Sequence, residues 1–323
     1  MKLIVTIPCY NEEQNIAAVI KEIPRNIIGV DQVEVLIIND GSTDNTVITA
    51  KQAGADYIIS HKRNIGLARS FQQALWEAVS RGADIIVNTD GDNHYDQSKI
   101  SELIQPILQQ QADIVIGSRQ DLQTKNRWLN RFGSFVMTKW AGLPKYDVST
   151  GFRAYNKEAA LRLGVYSTHT YVHTTLLSAQ DIGLTTVELQ IADRPVERPS
   201  RLIKNVPQHI WLAGWNIVRN IIIFHPLRFF GSIGIFLALA GALPVLRFFY
   251  FYFITGDGNG HLQSLIIGTM LVLLGYINLV LGLLGSSIGW HRKVTEETLY
   301  RVKKMELALP HPQPLSSKER GGI

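Results

Sequence analysis

Two long uncharged apolar stretches near the C-terminal end constrain this chain most. Phe229–Leu246 is 18 residues without a charge, about 27 Å as a helix and close to the ~30 Å hydrocarbon thickness of a bilayer. It runs on through Arg247 to Ile254, and Leu262–Gly289 is a second uncharged stretch, long enough to span with tilt. The turn TGDGNGH between them is short and polar, so the two stretches read as a hairpin that returns the chain to its starting side. Lys204, Arg219 and Arg228 precede it, Arg292, Lys293, Arg301, Lys303 and Lys304 follow it, and the turn holds only Asp257. The bias of basic residues places both flanks on the cytoplasmic side. Arg247 is expected to snorkel to the far interface. Gly231, Gly241, Gly268, Gly275 and Gly282 are candidate points of close helix approach. Upstream, Ile210, Trp211, Trp215, Val218 and Ile222 recur at helical spacing over 205–225, as in an amphipathic helix lying in the membrane interface.

The mean hydropathy is only +0.06, so a water-soluble part must offset the hairpin. Residues 1–195 supply it by alternating strand-like and helix-like runs. Strands are expected at Lys2–Pro8, Val33–Asn39, Asp56–Ser60, Asp84–Thr89 and Asp113–Gly117. Helices are expected at Glu12–Ile23, Thr43–Ala53, Leu67–Val79 and Gln97–Gln109, with another near Trp128–Ala141. This order predicts an α/β domain with a mostly parallel sheet covered on both faces, and runs such as VEVLIIN fit strands buried on both sides. The single cysteine, Cys9, excludes an intrachain disulfide. The formal net charge of +5 suits an anionic surface, a phosphorylated substrate or nucleic acid, and does not choose among them.

Three polar clusters follow the first, second and fourth expected strands: Pro8-Cys9-Tyr10-Asn11-Glu12, Asp40-Gly41-Ser42-Thr43-Asp44 and Asp90-Gly91-Asp92. Ligands of open parallel sheets sit outside the carboxyl ends of the strands, so the three converge on one expected site. The first loop lacks the glycine-rich phosphate fingerprint of dinucleotide-binding domains, and its carboxylates would repel a pyrophosphate. Asp90 and Asp92, one residue apart, are suited instead to a hard divalent cation such as Mg²⁺ or Mn²⁺ that bridges to phosphate oxygens.

The ordered set PCYNEE, INDGSTDNT, HKRNIGLARS, NTDGDNHYD, GSR and DVSTGFRAY resembles glycosyltransferase family 2, whose nucleotide-sugar-binding fold is called GT-A. Within it the resemblance is to polyprenyl-phosphate glycosyltransferases, dolichol-phosphate mannose synthase among them. The resemblance implies a GT-A catalytic domain over 1–205, an amphipathic interface helix over 206–226, a transmembrane hairpin over 227–290 (about 229–254 and 262–289), and a cytoplasmic helix with a disordered tail over 291–323. It implies a UDP- or GDP-sugar donor, a polyisoprenyl (undecaprenyl or dolichyl) phosphate acceptor, inverting metal-dependent transfer and no nucleic-acid partner; a homo-oligomer is compatible with all of this. Pro8, Tyr10, Glu12 and Asp40 would line the nucleotide pocket, and Asn64 and Gly66 would belong to the loop that closes it. Asp90 and Asp92 would bind metal and diphosphate. His94 stands where relatives often carry Gln as a further metal contact, and Asn39 where many carry a second Asp. Arg119 and Arg153 would neutralise phosphates, and Asp147 would orient the acceptor. Arg198, Ser200 and Arg201, just before the interface helix, are placed to meet the acceptor phosphate.

Three other readings stay open on sequence grounds, one of them a family member with a soluble or protein acceptor, against which the two spans and the basic segment before the interface helix argue. A processive polysaccharide synthase would carry Q-x-x-R-W after the domain, whereas Gln123 and Arg127-Trp128 have another spacing. A non-catalytic membrane scaffold of the same fold would not need Asp90, Asp92 and Asp147.

Overall fold

A computed structural model describes residues 1–119, 150–164, 171–191, 215, 218–219, 221–256 and 261–309. The expected helix near Trp128–Ala141, most of the interface helix over 206–226, the C-terminal tail, and Asp147, Arg198, Ser200 and Arg201 lie outside the described residues.

The described part of the N-terminal region follows the order β1 (Lys2–Cys9), α1 (Ile16–Glu22), β2 (Gln32–Asn39), α2 (Thr46–Gln52), β3 (Tyr57–Ser60), α3 (Leu67–Ser80) and β4 (Ile85–Asn88). Two short helices, α4 (Ile100–Leu103) and α5 (Gln105–Leu108), then lead to β5 (Ile114–Arg119). The single helix expected over Gln97–Gln109 is therefore interrupted. It begins as a 3₁₀ turn at Gln97–Lys99 and breaks at Ile104, two residues before Pro106, whose ring and missing N–H do not tolerate an interior helical position. Beyond the gap come β6 (Arg153–Asn156), α6 (Lys157–Arg162), α7 (Val172–Asp181) and β7 (Thr186–Ile191).

The described strands form one sheet in the order β3-β2-β1-β4-β6-β5-β7. All pairs are parallel except those of β6, which runs antiparallel to both β4 and β5. Alternate residues of the central strands face opposite layers. Leu3, Val5, Ile7, Val35 and Ile37 join Ile16, Val19 and Ile20 of α1 on one face. Ile4, Leu36, Ile38 and Ile86 join Phe71, Ala74, Leu75 and Ala78 of α3 on the other. Both sets are apolar because both faces are covered, which is why these strands read as unbroken hydrophobic runs.

Residues 215, 218–219 and 221–224 are helical, and after them come α8 (Pro226–Tyr250), closed by a π-helical turn at Phe251–Thr255, and α9 (Leu262–Ala308). Both are long and apolar enough to cross a membrane. They pack backbone to backbone: a Cβ at Gly241 would lie 2.6 Å from the Gly268 carbonyl oxygen, and one at Gly234 would lie 2.8 Å from that of Gly275. Of the glycines expected at this seam, Gly231 meets only Leu227, at 4.0 Å.

The chain divides into two compact units, and α9 contributes to both, up to Val294 in one and from Thr295 in the other. In the unit that contains the sheet, Tyr300 of α9 is buried in the α3 face of the core. The Arg162 guanidinium lies 4.6 Å over the Tyr300 ring, and Lys303 Nζ donates to the Leu161 carbonyl at the end of α6, 3.3 Å away.

Candidate active site

The carboxyl ends of β1, β2 and β4 are adjacent, and the polar segments that follow them are bonded together. After β1 the chain turns through Asn11 in a left-handed conformation (φ 55°), which asparagine tolerates. Asn11 N–H donates to Ser42 Oγ at 2.9 Å, and its Oδ1 accepts from Thr43 N–H at 2.9 Å. Glu12 N–H donates to Thr46 Oγ1 at 2.9 Å. The third segment closes on the first: a Cβ at Gly91 would sit 3.2 Å from Cys9 Cβ and 3.6 Å from Glu12 Cγ. Burial, then the nearby Glu12, Asp44 and Asp40 carboxylates, push the Cys9 thiol up to about 12, so it stays neutral and inert here. Asp44 is held below the ordinary carboxylate range: its partial burial acts upward, and is outweighed by bonds from Thr46 and from the Glu13 amide.

Asp40 is buried and turned inward. Its Oδ1 accepts from Ile65 N–H at 2.8 Å and lies 2.9 Å from His61 Nδ1, and its Oδ2 accepts from Gly66 N–H at 2.9 Å. Asp40 thus pins the 61–66 loop ahead of α3. His61 Nε2 lies 2.6 Å from Gln73 Oε1 on α3, which ties the loop to the helix. Gly41 (φ +75°) is required here, because a Cβ would meet the Arg63 carbonyl carbon at 2.6 Å. Asn39 accepts from Ser42 N–H and donates to Ser60 Oγ, a turn-building use. Pro8 is buried at the end of β1, Tyr10 is 43 % exposed, Glu12 is half-buried, and Asn64 faces solvent.

Asp90 and Asp92 follow β4 and are both partly accessible. Asp92 Oδ2 pairs with His94 Nδ1 at 2.9 Å. Among the described residues no three acidic, histidine or cysteine side chains converge as a ready-made cation cage. The oxygen donors of two aspartates nonetheless fit Mg²⁺ or Mn²⁺, which are commonly bound by one or two carboxylates with water and substrate phosphates completing the shell.

Arg153, which the resemblance implies as a phosphate contact, lies inside the fold. It is fully buried, and its Nη1 donates to the Val172 carbonyl at 2.9 Å and to Thr175 Oγ1 at 3.0 Å, joining β6 to α7. Arg119 ends β5. Sequence reasoning missed four residues at the site floor. Asn88 Nδ2 donates to the Gly151 carbonyl and to the Tyr171 hydroxyl, both at 2.9 Å. Tyr95 Oη accepts from Gly151 N–H at 3.0 Å. Tyr171 stacks on Phe71 with ring centroids 3.9 Å apart. Full burial, then the charge of Asp90, raise the Tyr171 hydroxyl well above its ordinary value, so it is protonated at neutral pH. Gly151 lies inside the DVSTGFRAY run, and Asn88 and Tyr95 inside NTDGDNHYD; Tyr171 carries no local signal.

The model of the family described as glycosyl transferase family 2 matches residues 4–164. A UDP-N-acetylglucosamine–dolichyl-phosphate N-acetylglucosaminyltransferase of Methanococcus voltae is 30% identical over 176 residues, 47% of this chain and 68% of that protein. The chain belongs to glycosyltransferase family 2. A dodecaprenyl-phosphate galacturonate synthase of Rhizobium johnstonii is 21% identical over 307 residues, 89% of this chain and 88% of that one, so the likeness extends through the apolar helices. Among solved structures, glucosyl-3-phosphoglycerate synthase of Mycobacterium tuberculosis in complex with Mn²⁺, UDP and phosphoglyceric acid superposes with a TM-score of 0.52 at 18% identity, covering 67% of this chain and 78% of that one. The sheet and its covering helices are thus the GT-A fold, and the family 2 protein is a glycosyltransferase.

Proposed function

We propose that this glycosyltransferase moves a sugar from a nucleoside diphosphate sugar to a polyprenyl phosphate at the cytoplasmic face of a membrane. The observation that carries the reading is a single chain joining Asp90 and Asp92, at the end of β4, to the apolar pair α8 and α9. Relatives whose names carry dolichyl phosphate and dodecaprenyl phosphate support the acceptor class. Arg228 and Arg247 bracket about 28 Å of α8, one bilayer thickness, which suits an arginine at each interface. The basic flanks support a catalytic domain on the cytoplasmic side.

In this mechanism Asp90 and Asp92 would hold a divalent cation, which would supply charge to offset the donor diphosphate. The 61–66 loop, pinned by Asp40, closes over the nucleotide with Pro8, Tyr10 and Glu12. A lipid monophosphate is already an anionic nucleophile and needs little base catalysis; its difficulty is repulsion from the donor. Arg119, Arg198, Ser200 and Arg201 hold that phosphate by charge-assisted bonds, and Asp147 orients it. An acceptor oxygen attacks the anomeric carbon, the bond to the diphosphate breaks with its electron pair leaving on the nucleotide, and the configuration inverts. Arg153 acts from below, holding α7 against β6.

The test incubates full-length protein in proteoliposomes containing undecaprenyl or dolichyl phosphate with labelled UDP- and GDP-sugars and Mn²⁺. Label that enters the organic phase only when the lipid phosphate is present supports the reading. Label in polymer, or no transfer from any donor, overturns it.

A further inference from the structure

We propose that Gly151, Tyr171 and Asn88 form a buried clamp that fixes the orientation of the Asp90 carboxylate, and that Gly151 and Tyr171 are positioning residues for cation binding; this rests on the assignment of Asp90 to the metal. The argument begins with strand register. β4 and β6 pair antiparallel up to Asn88 opposite Arg153. Continuing that register past the strand ends brings Asp90 level with Gly151. A Cβ on Gly151 would lie 2.8 and 2.9 Å from the two carboxylate oxygens of Asp90 and 2.9 Å from the Tyr171 hydroxyl. The volume that any other residue would need at position 151 is thus filled by the carboxylate on one side and a phenol on the other.

Backbone conformation does not explain the glycine, because Gly151 is absent from the glycines of positive φ. What demands it is space beside Asp90. The segment is also held firmly. The Gly151 carbonyl accepts from Asn88, its N–H donates to Tyr95, and Tyr95 stacks on Phe152 with ring centroids 5.2 Å apart. Asn88 uses its second amide proton on Tyr171, and the Tyr171 ring is pressed against Phe71. Asn88 is itself fully buried, with Thr6 Oγ1 3.4 Å from its Oδ1. Such groups behind a ligand typically alter metal affinity by about 10- to 100-fold when removed.

The experiment titrates Mn²⁺ into full-length protein, with UDP or GDP present, and reads free Mn²⁺ by electron paramagnetic resonance. Melting temperature in EDTA is recorded alongside. Gly151→Ala is expected to raise the Mn²⁺ Kd by about tenfold or more, and Tyr171→Phe, which removes one oxygen and keeps the ring, by several-fold. Should Gly151→Ala fail to fold, Tyr171→Phe carries the test. A wild-type protein that binds no Mn²⁺, or an Asp90→Ala variant that binds it as the wild type does, overturns the metal assignment and the clamp together. Binding lost in Asp90→Ala but unchanged in both other variants, even with a lower melting temperature in EDTA, overturns the clamp alone.

Discussion

Asp40 Oδ2 accepts the backbone N–H of Gly66 at 2.9 Å, while Oδ1 accepts that of Ile65 at 2.8 Å. One buried carboxylate therefore holds two successive amides of the loop before α3, and His61 from the side. Asparagine supplies one acceptor oxygen where this arrangement needs two, and its amide would face the Gly66 N–H as donor against donor. Asp40→Asn is expected to lower stability by about 1–3 kcal/mol, the penalty for a buried donor left unmet. It is also expected to raise the donor KM more than it lowers kcat. Thermal melts and steady-state kinetics over donor concentration check both. An unchanged KM would show that the loop does not contribute to nucleotide binding.

Asp92 pairs with His94 at 2.9 Å, both side chains being more than a third exposed. If Asp92 is a cation ligand, Asp92→Ala forfeits several kcal/mol of charge stabilisation, and metal-stimulated transfer should fall by at least about a hundredfold. His94→Gln keeps a polar neighbour for Asp92 and should retain transfer while changing the ratio of Mn²⁺- to Mg²⁺-supported rates, since imidazole favours the softer ion. Chelation followed by metal add-back, carried out on both variants, separates the two roles.

The α/β frame was legible because β1, β2 and β4 are buried on both faces, so their apolar runs leave no ambiguity of type. β6 was not: Arg153-Ala154-Tyr155-Asn156 has no strand signature and is held by its two neighbours in the sheet. β7, absent from the expected strands, alternates Val187, Leu189 and Ile191 with polar residues, the pattern of an edge strand. At the candidate site, the sequence pattern predicted that the polar segments after β1, β2 and β4 come together, but not which carboxylate faces inward. The family resemblance implies ligand contacts for Asp40 and Arg153; in the structure both are buried and bonded to the fold, and burial of a charge is decided by partners distant in sequence, Gly66 for one and Thr175 for the other.

Cys9 is 5 % exposed, and its thiol is raised to about 12 by burial, then by Glu12, Asp44 and Asp40. Native protein should resist iodoacetamide at pH 8, and urea-unfolded protein should react fully. The linkage has a definite sign. The folded thiol keeps its proton while the unfolded one loses it, so this contribution to stability is complete below about pH 8.5 and declines as pH rises towards 12. Cys9→Ala should show a shallower alkaline loss of stability than the wild type in melts between pH 8 and 11.

Gly241 and Gly268 bring α8 and α9 into backbone contact, and a side chain at 241 would drive into a carbonyl oxygen at 2.6 Å. Gly241→Val should therefore separate the helices and lower the yield of monodisperse protein in detergent. Gly289→Ala is the control, since nothing lies within 4 Å of a Cβ there. Fluorescence-detected size exclusion after a heating series measures the difference. Equal thermal profiles would show that the glycine seam contributes little to holding the pair.

Tyr300 belongs to the catalytic core although it lies beyond the apolar part of α9. It is 8 % exposed, sits in the same cluster as Phe71 and Ala74, and carries Arg162 over its ring at 4.6 Å. Arg162 is in turn ion-paired to Glu158 at 2.6 Å. Tyr300→Ala removes a buried aromatic, and should destabilise the catalytic unit by about 3 kcal/mol. Arg162→Ala should cost less, because the ion pair is partly exposed and weakened by solvent. If the guanidinium–ring contact is energetically real, the double variant should fall short of the sum of the single effects by about 0.5–2 kcal/mol. Lys303 sharpens the test: burial holds its ammonium below the ordinary lysine range, so native stability should rise with pH as that proton leaves, and Lys303→Met should flatten the rise. Strict additivity together with an unaltered melting temperature for Tyr300→Ala would mean that the end of α9 rests on the domain without supporting it.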